Sequence, residues 1–377
     1  MRRIRMWVGL AALAACAVPS ASASPALKVG IVEHAEALMG NPAQFFPQLG
    51  TLRAQFLRVN LNWGGRIGVA RRQPKDGADP NDPRYDWAIY DRAVLEAGKQ
   101  GVGIVFSIFG TPVWANGLNL PQVAPKRPLH LERFAYAAAT RYSGTFRRAD
   151  GVMLPAVRHW IAWNEPNLRL GLIPQYRRIG PDRWVIQSAV DYARICNAIV
   201  DGIHGTGLRG QRVACGVTAP RGNNNPRGKK PSVSPLAFLR AMKKAGARGF
   251  DAYAHHPYHG GPSEQPTTRP GGRTAVTLGN IDVLVRELTR LYGPKRVWLT
   301  EYGYQTNPPD RFFGVSFALQ ARYLTAAFAL ARRHPRIDMM LWFLLRDEYR
   351  TEGWQSGLIT ASGRRKPAFT AFQRLPH

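Results

Sequence analysis

Trp160-Ile161-Ala162-Trp163-Asn164-Glu165-Pro166-Asn167 opens as an apolar run and closes on a carboxylate. Proline then denies the next ladder hydrogen bond, so the run reads as a buried strand that stops at Glu165. A carboxylate at the end of a buried strand costs free energy unless it has partners. The pattern recurs in Val297-Trp298-Leu299-Thr300-Glu301-Tyr302-Gly303: an apolar strand, one glutamate, then a glycine.

Working outward from these two stretches, strand and helix signals alternate along the chain. Strands are expected at 27–32, 56–61, 103–109, 157–163, 212–217, 250–256, 296–300 and 337–343. Helices are expected at 46–54, 86–95, 131–142, 181–203, 235–245, 281–291 and 315–332, with a closing helix from 366. The helix at 181–203 is placed by Pro181 and Asp182 in its first turn. The strands are near-continuous apolar runs, as in a parallel sheet covered on both faces. Eight strands, each followed by a helix, predict an α/β fold, a single (β/α)8 TIM barrel. Both glutamates then lie on its functional face, at the C-terminal ends of strands four and seven.

The chain has 377 residues, of which 45% are hydrophobic, with a formal net charge of +28. The charge has two readings: an anionic partner, or arginines scattered over a solvated surface. No basic stripe with interleaved aromatics occurs, which argues against a nucleic-acid partner. Arg2, Arg3 and Arg5 precede an apolar run, 6–18, too short to span a bilayer comfortably, and Ala21-Ser22-Ala23 follows as a cleavage site. Residues 1–23 are therefore expected to be a signal peptide of an exported protein, with 27–377 as one catalytic domain. Leu13-Ala14-Ala15-Cys16 offers the alternative of a lipid anchor at Cys16. No other segment is expected to be transmembrane. Beyond the signal, Cys196 and Cys215 remain, either paired or as two buried thiols.

The residues with chemical potential gather at the strand ends. His255-His256-Pro257-Tyr258-His259 invites a metal reading, but strand neighbours point to opposite faces and no three or four ligands converge. His256 and Tyr258 are expected to line the barrel mouth, with His255 on the other face and no metal bound. Trp63, Trp114, Trp163 and Trp342 follow or end strands two, three, four and eight. Indoles at one rim suit the apolar C–H face of a sugar ring. Arg58, on strand two, is a candidate for orienting the second carboxylate. Asn164 stands beside the first. Two carboxylates on matching strand ends suit glycoside chemistry, and no cofactor is required. The loops 116–128, 222–234 and 260–272, after strands three, five and six, are expected to wall the cleft.

Together these residues resemble the clan A glycoside hydrolases, the retaining (β/α)8 enzymes that include cellulase-like family 5 and xylosidase-like family 39. The resemblance covers nearly all of the chain beyond residue 23. Trp163-Asn164-Glu165-Pro166 is similar to the clan's strand-four motif, which implies Glu165 as acid/base. Glu301 matches the strand-seven nucleophile, and Arg58, His256, Tyr258 and Trp342 fall where the clan places supporting residues. Where family 5 enzymes often carry a strand-three histidine, this chain has Phe109-Gly110-Thr111-Pro112-Val113-Trp114-Ala115, more similar to family 39. The resemblance implies hydrolysis of a β-linked polysaccharide or oligosaccharide, anionic if the charge reflects its partner. The alternative from another class is a catalytically silent glycan-binding protein on the same barrel.

Overall fold

Short runs of β-branched and apolar residues form β1 (Lys28–Val32), β2 (Phe56–Asn62), β3 (Gly103–Phe109) and β4 (His159–Ala162). A small hairpin follows, β5 (Arg177–Gly180) and β6 (Arg183–Val185), and then β7 (Arg212–Thr218), β8 (Ala252–His255), β9 (Arg296–Tyr302) and β10 (Ile337–Phe343). These come from a computed structural model that describes residues 27–117, 120–272 and 274–376. The expected signal peptide, residues 1–23, and the alternative anchor at Cys16 lie outside the described residues. Apart from the hairpin, the strands are parallel and close in the order β1-β10-β9-β8-β7-β4-β3-β2, an eight-stranded TIM barrel.

The helices are α1 (Ala35–Met39), α2 (Pro42–Thr51), α3 (Ala88–Lys99), α4 (Val113–Asn116), α5 (Pro128–Arg141) and α6 (Gln187–Gly205). α7 (Pro235–Lys244), α8 (Asp282–Tyr292), α9 (Phe317–Arg333) and α10 (Pro367–Gln373) complete the outer layer. Local chemistry sets many starts. α2, α5, α7 and α10 begin on proline, whose missing N–H costs nothing there. The Ser316 side chain accepts from the Leu319 N–H at 3.2 Å and caps α9. α8 buries Leu284, Val285 and Leu288 and keeps its charges outward. No described helix is long and apolar enough to cross a membrane.

Two cores result. Val105, Ile161, Ala254, Trp298 and Leu341 fill the barrel interior, while alternate residues such as Leu57, Phe106, Trp160, Leu299 and Trp342 meet the helices. The Sγ atoms of Cys196 on α6 and Cys215 on β7 are bonded, closing a loop with a sequence separation of 19. A loop of that size contributes about 3 kcal/mol in the chain-entropy picture.

One expected helix is corrected. Residues 181–186 are not helical: Pro181 and Asp182 turn the β5–β6 hairpin, and α6 starts at Gln187. The exposed Asp182 forms an ion pair with Arg227 instead of a helix N-terminal contact. The other expected elements fall within a few residues of their bounds, β9 running on through Glu301 to Tyr302, whereas the short helices α1 and α4 had no expected counterpart.

Candidate active site

Two irregularities in the barrel aim its functional side chains. Along β9 the pairing with β10 passes from Leu299↔Met340 to Tyr302↔Trp342, three residues against two. This bulge turns both Thr300 and Glu301 into the barrel mouth, which a regular strand cannot do. Along β7 the pairing with β8 passes from Gly216↔Ala254 to Thr218↔His255, leaving Val217 as the extra residue at φ 50°. The Val217 carbonyl thereby accepts from the Glu165 N–H at 3.0 Å. A Cβ at Gly216 would stand 2.3 Å from the Tyr253 ring, so only glycine fits that approach.

The chain around Glu165 is held in a conformation that side chains seldom adopt. Trp163 has φ 74° and Glu165 φ 41°. Trp163 is fixed from three sides: its N–H donates to the Ile108 carbonyl, its carbonyl accepts from Ser107 Oγ at 2.7 Å, and its indole donates to the Gly171 carbonyl at 2.8 Å. Buried Asn167 ties the turn to the loop after β7, accepting from Ala219 N–H and donating to the Val233 carbonyl.

Around this frame four strands deliver one network. The fully buried Arg58 guanidinium donates through Nη1 to Glu301 Oε1 at 2.7 Å and to the Thr300 carbonyl at 2.9 Å. Through Nη2 it donates to Asn164 Oδ1 at 2.7 Å, which leaves the Asn164 amide N–H groups for a ligand. Tyr258 donates to Glu301 Oε2 at 3.1 Å. His256 Nδ1 lies 2.9 Å from Glu165 Oε1, and its Nε2 lies 3.1 Å from Thr300 Oγ1 and 3.3 Å from Arg58 Nη1. Oxygens of Glu165 and Glu301 and a nitrogen of His256 all lie within 4.8 Å of one another.

Burial raises the Glu165 carboxyl to about 7, opposed by the charge of Arg58. Burial also lowers His256 to about 4, so the ring is neutral at pH 7. Arg58 can only donate, so Nε2 accepts and Nδ1 carries the proton toward Glu165. Burial and the nearby Glu301 push the Tyr258 phenol well above its ordinary range, keeping it a donor. Among the described residues, Glu165, His256 and Glu301 are the one trio of potential metal ligands this close. Arg58 already supplies a positive charge in contact with two of the three groups, as counter-ion to Glu301.

No family model matches the sequence, and no curated protein matches it. Solved structures do. A family 39 glycoside hydrolase from Bacteroides cellulosilyticus WH2 matches over 92% of this chain, with a TM-score of 0.61 at 18% identity. The chain spans 62% of the length of that protein. GH5_18 from Streptomyces cattleya, solved in complex with GlcNAc, gives a TM-score of 0.57 at 16% identity over 93% of this chain and 80% of its own. A fungal β-1,4-galactanase gives 0.57 at 14% identity over 93% of this chain and 100% of its own. This chain shares the barrel fold of these glycoside hydrolases. The resemblance read from the motifs thus extends to the fold.

The structure brings Glu165, Glu301, Arg58, Asn164, His256 and Tyr258 together, and His255 faces away, between Thr218 Oγ1 and the Val276 carbonyl. The tryptophans do not converge. Trp342 is fully buried against the helix layer, its indole donating to the Ser356 carbonyl. Its neighbour Phe343 faces the mouth instead, packing on Tyr258 and Trp354. Trp63 is also fully buried, stacked on Phe134 with Trp114 at its edge. Trp114 donates to the Ala70 carbonyl and packs on His130.

The expected walls are partly right. The loops at 222–234 and 260–272 line a cavity of about 620 Å³ beside Leu168. The 116–128 loop joins the loop after β4 through the Val123↔Ile173 bridge. A larger cavity of about 820 Å³ opens beside Tyr258 and Gly303, between the loops after β9 and β10, which the sequence reading passed over. Its signal was present as Phe312-Phe313, two large aromatics in a polar, proline-marked loop.

A lysine at position 58 cannot reach Glu301 and Asn164 together. Arg58→Lys is expected to lower kcat/KM on an activated glycoside by about 10²-fold, the equivalent of two weakened contacts. Steady-state kinetics with a parallel melting curve checks it; unchanged kcat/KM would remove Arg58 from the site.

Proposed function

We propose that this chain is an exported retaining glycosidase that hydrolyses O-glycosidic bonds of a polysaccharide or oligosaccharide, with Glu301 as nucleophile and Glu165 as general acid/base. The observation that carries the reading is the pair itself. Carboxylate oxygens within 4.8 Å suit retention, for which the carboxyl groups stand about 5–5.5 Å apart, whereas inversion needs about 6.5–9.5 Å for an intervening water. The environments also differ in the needed sense. Glu301 has two donors, Arg58 and Tyr258, that steady a negative charge. Glu165 holds a proton up to about pH 7. With Nδ1–H of His256 on Oε1, Oε2 is the position for that proton, facing the leaving oxygen.

In this reading Glu301 attacks the anomeric carbon while Glu165 protonates the departing oxygen. Ester formation removes the charge of Glu301, and Arg58 loses its counter-ion. The field of Arg58 then acts on Glu165 without compensation and favours its ionised form, which takes a proton from water for the second displacement. Export, residues 1–23 as its signal and 27–377 as the catalytic domain belong to the same proposal. Incubating the protein with a panel of polysaccharides and measuring reducing ends tests it. Release that disappears in a Glu165→Gln/Glu301→Gln double variant supports the enzyme, whereas binding without release leaves a silent glycan-binding barrel.

A further inference from the structure

Three of the large apolar side chains that stand exposed belong to one cavity. Phe312 is 85% exposed, Phe313 53% and Trp354 40%, and all three line the 820 Å³ space beside Tyr258. Scattered exposed apolar residues need no explanation, but a cluster on the rim of a cleft does. Tyr258 joins this cavity to the carboxylate pair: its hydroxyl donates to Glu301 Oε2, and its ring packs at 5.4 Å against the Trp354 indole. Gly303, two residues beyond Glu301, lines the same space.

Both walls are built rigidly. Asp310 Oδ1 accepts from the Phe312 and Phe313 N–H groups at 2.8 and 3.0 Å, which sets the aromatic pair in a fixed turn. The turn closes through Asn307 N–H to the Val315 carbonyl and Val315 N–H to the Gln305 carbonyl. A Cβ at Gly314 would stand 2.1 Å from the Asp310 carbonyl, so glycine is required at the fold-back. On the other wall the Trp354 N–H donates to Glu348 Oε2 at 2.9 Å. Beneath it the buried Lys366 Nζ binds Asp347 Oδ1 at 2.7 Å, Thr306 Oγ1 at 2.8 Å and the Gln355 carbonyl at 3.2 Å, locking the two loops together.

The charge of the cavities is as informative as their aromatics. Despite the net charge of +28, the lining of the larger cavity has Arg311 against Asp310 and Glu352. In the smaller cavity Arg221 faces Glu264 at 3.7 Å, and its Nη1 is spent on the His259 carbonyl. Among the described residues, neither lining gathers surplus positive charge. The positive charge of the chain is thus not concentrated in these two linings, and an anionic saccharide finds no surplus counter-charge in them.

We infer that Phe312, Phe313 and Trp354 form a preformed subsite for the pyranose rings of an uncharged oligosaccharide, running from the Glu301 side of the carboxylate pair. The inference rests on the proposed glycosidase reading for its register to the bond cleaved. Indole and phenyl faces pack on the C–H faces of neutral sugar rings, and the space is of the size that ligands of a few rings occupy. On this side of the pair the subsite holds the portion of substrate that becomes esterified to Glu301.

The test is calorimetric titration of the full-length Glu165→Gln protein with cellobiose and cellotetraose, xylotetraose, mannotetraose and trigalacturonate. At least one neutral tetrasaccharide is expected to bind, cellotetraose more tightly than cellobiose if it is that one. Phe312→Ala/Phe313→Ala and Trp354→Ala are each expected to weaken it by about tenfold or more, on the scale of lost ring stacking. Trp354→Phe, which keeps a ring and spares the loop, should recover most of the loss, and Met153→Ala, on the far side of the barrel, should change nothing. Equal affinity in the lip variants overturns the subsite, as does an absence of binding to every neutral saccharide. Preferential binding of trigalacturonate overturns the uncharged class. If lip-dependent binding occurs but the wild-type chain hydrolyses nothing, the glycosidase reading fails while the subsite stands. If the wild-type chain turns over aryl glycosides and the lip variants bind oligosaccharides normally, the reverse holds.

Discussion

Glu301→Ala is expected to reduce turnover by roughly 10⁴-fold or more, the scale seen when a covalent nucleophile is removed from a site whose parts act together. The loss is large because no neighbour can substitute. Tyr258 is a phenol pushed well above its ordinary range, and His256 is a neutral ring engaged at both nitrogens. The alanine leaves a space beside Arg58 Nη1 and Tyr258 Oη, two donors that formerly held a carboxylate. Azide fits such a space as a small anion. It is expected to restore activity toward an aryl glycoside and to give a glycosyl azide of inverted configuration, since it attacks once from the face Glu301 occupied. Proton NMR of the first-formed product of the wild-type enzyme completes the test. A product of inverted anomeric configuration from the unmodified protein would exclude the double displacement altogether. Removing Arg58's partner also leaves a buried cation uncompensated, which costs about 3–5 kcal/mol of stability. Melting curves must therefore accompany the kinetics, and azide should raise the melting temperature of this variant.

The residues that make this test possible were legible in the sequence because each breaks a local rule. A glutamate closing an apolar strand, an arginine inside one and a histidine before proline all need partners if buried, and the barrel supplies them to one another. What was hidden was the facing of side chains. In a parallel barrel both faces of a strand are apolar, so alternation does not reveal which residue looks inward. Trp342 and Phe343 are equally apolar, and the bulge at Thr300–Glu301 shows only in the pairing of β9 with β10. The same ambiguity hid the burial of Trp63 under α5. The β5–β6 hairpin was masked by a proline and an aspartate that serve a helix start and a turn equally well. The disulfide depends on the distance between α6 and β7, a tertiary quantity that spacing along the chain does not contain.

Glu165 should impose its own ionisation on both rate and stability. Its side chain is only 20% exposed, and burial raises it from 4.5 to about 7. As the proposed general acid it must be protonated, so kcat/KM is expected to fall about tenfold per pH unit above roughly pH 7. Glu165→Gln should abolish that limb along with most of the activity. Glu165→Ala should spare substrates whose leaving group needs no proton, and azide should then yield product of retained configuration from the accumulated ester. The stability consequence has the opposite sign from that of a salt-bridged carboxylate. Between pH 4.5 and about 7 the folded protein binds a proton that the unfolded chain has released, so stability declines as pH rises through this window. The decline is a few kcal/mol in scale. Glu33, buried at the end of β1 and also raised to about 7, adds to it in the same direction. Glutamine at 165 removes the cost of burying the charge. The variant should therefore melt at a higher temperature than the wild type at pH 8 and at nearly the same temperature at pH 5. A Glu165→Gln protein less stable than wild type at pH 8, with the basic limb of kcat/KM still in place, would assign the proton donor to another residue.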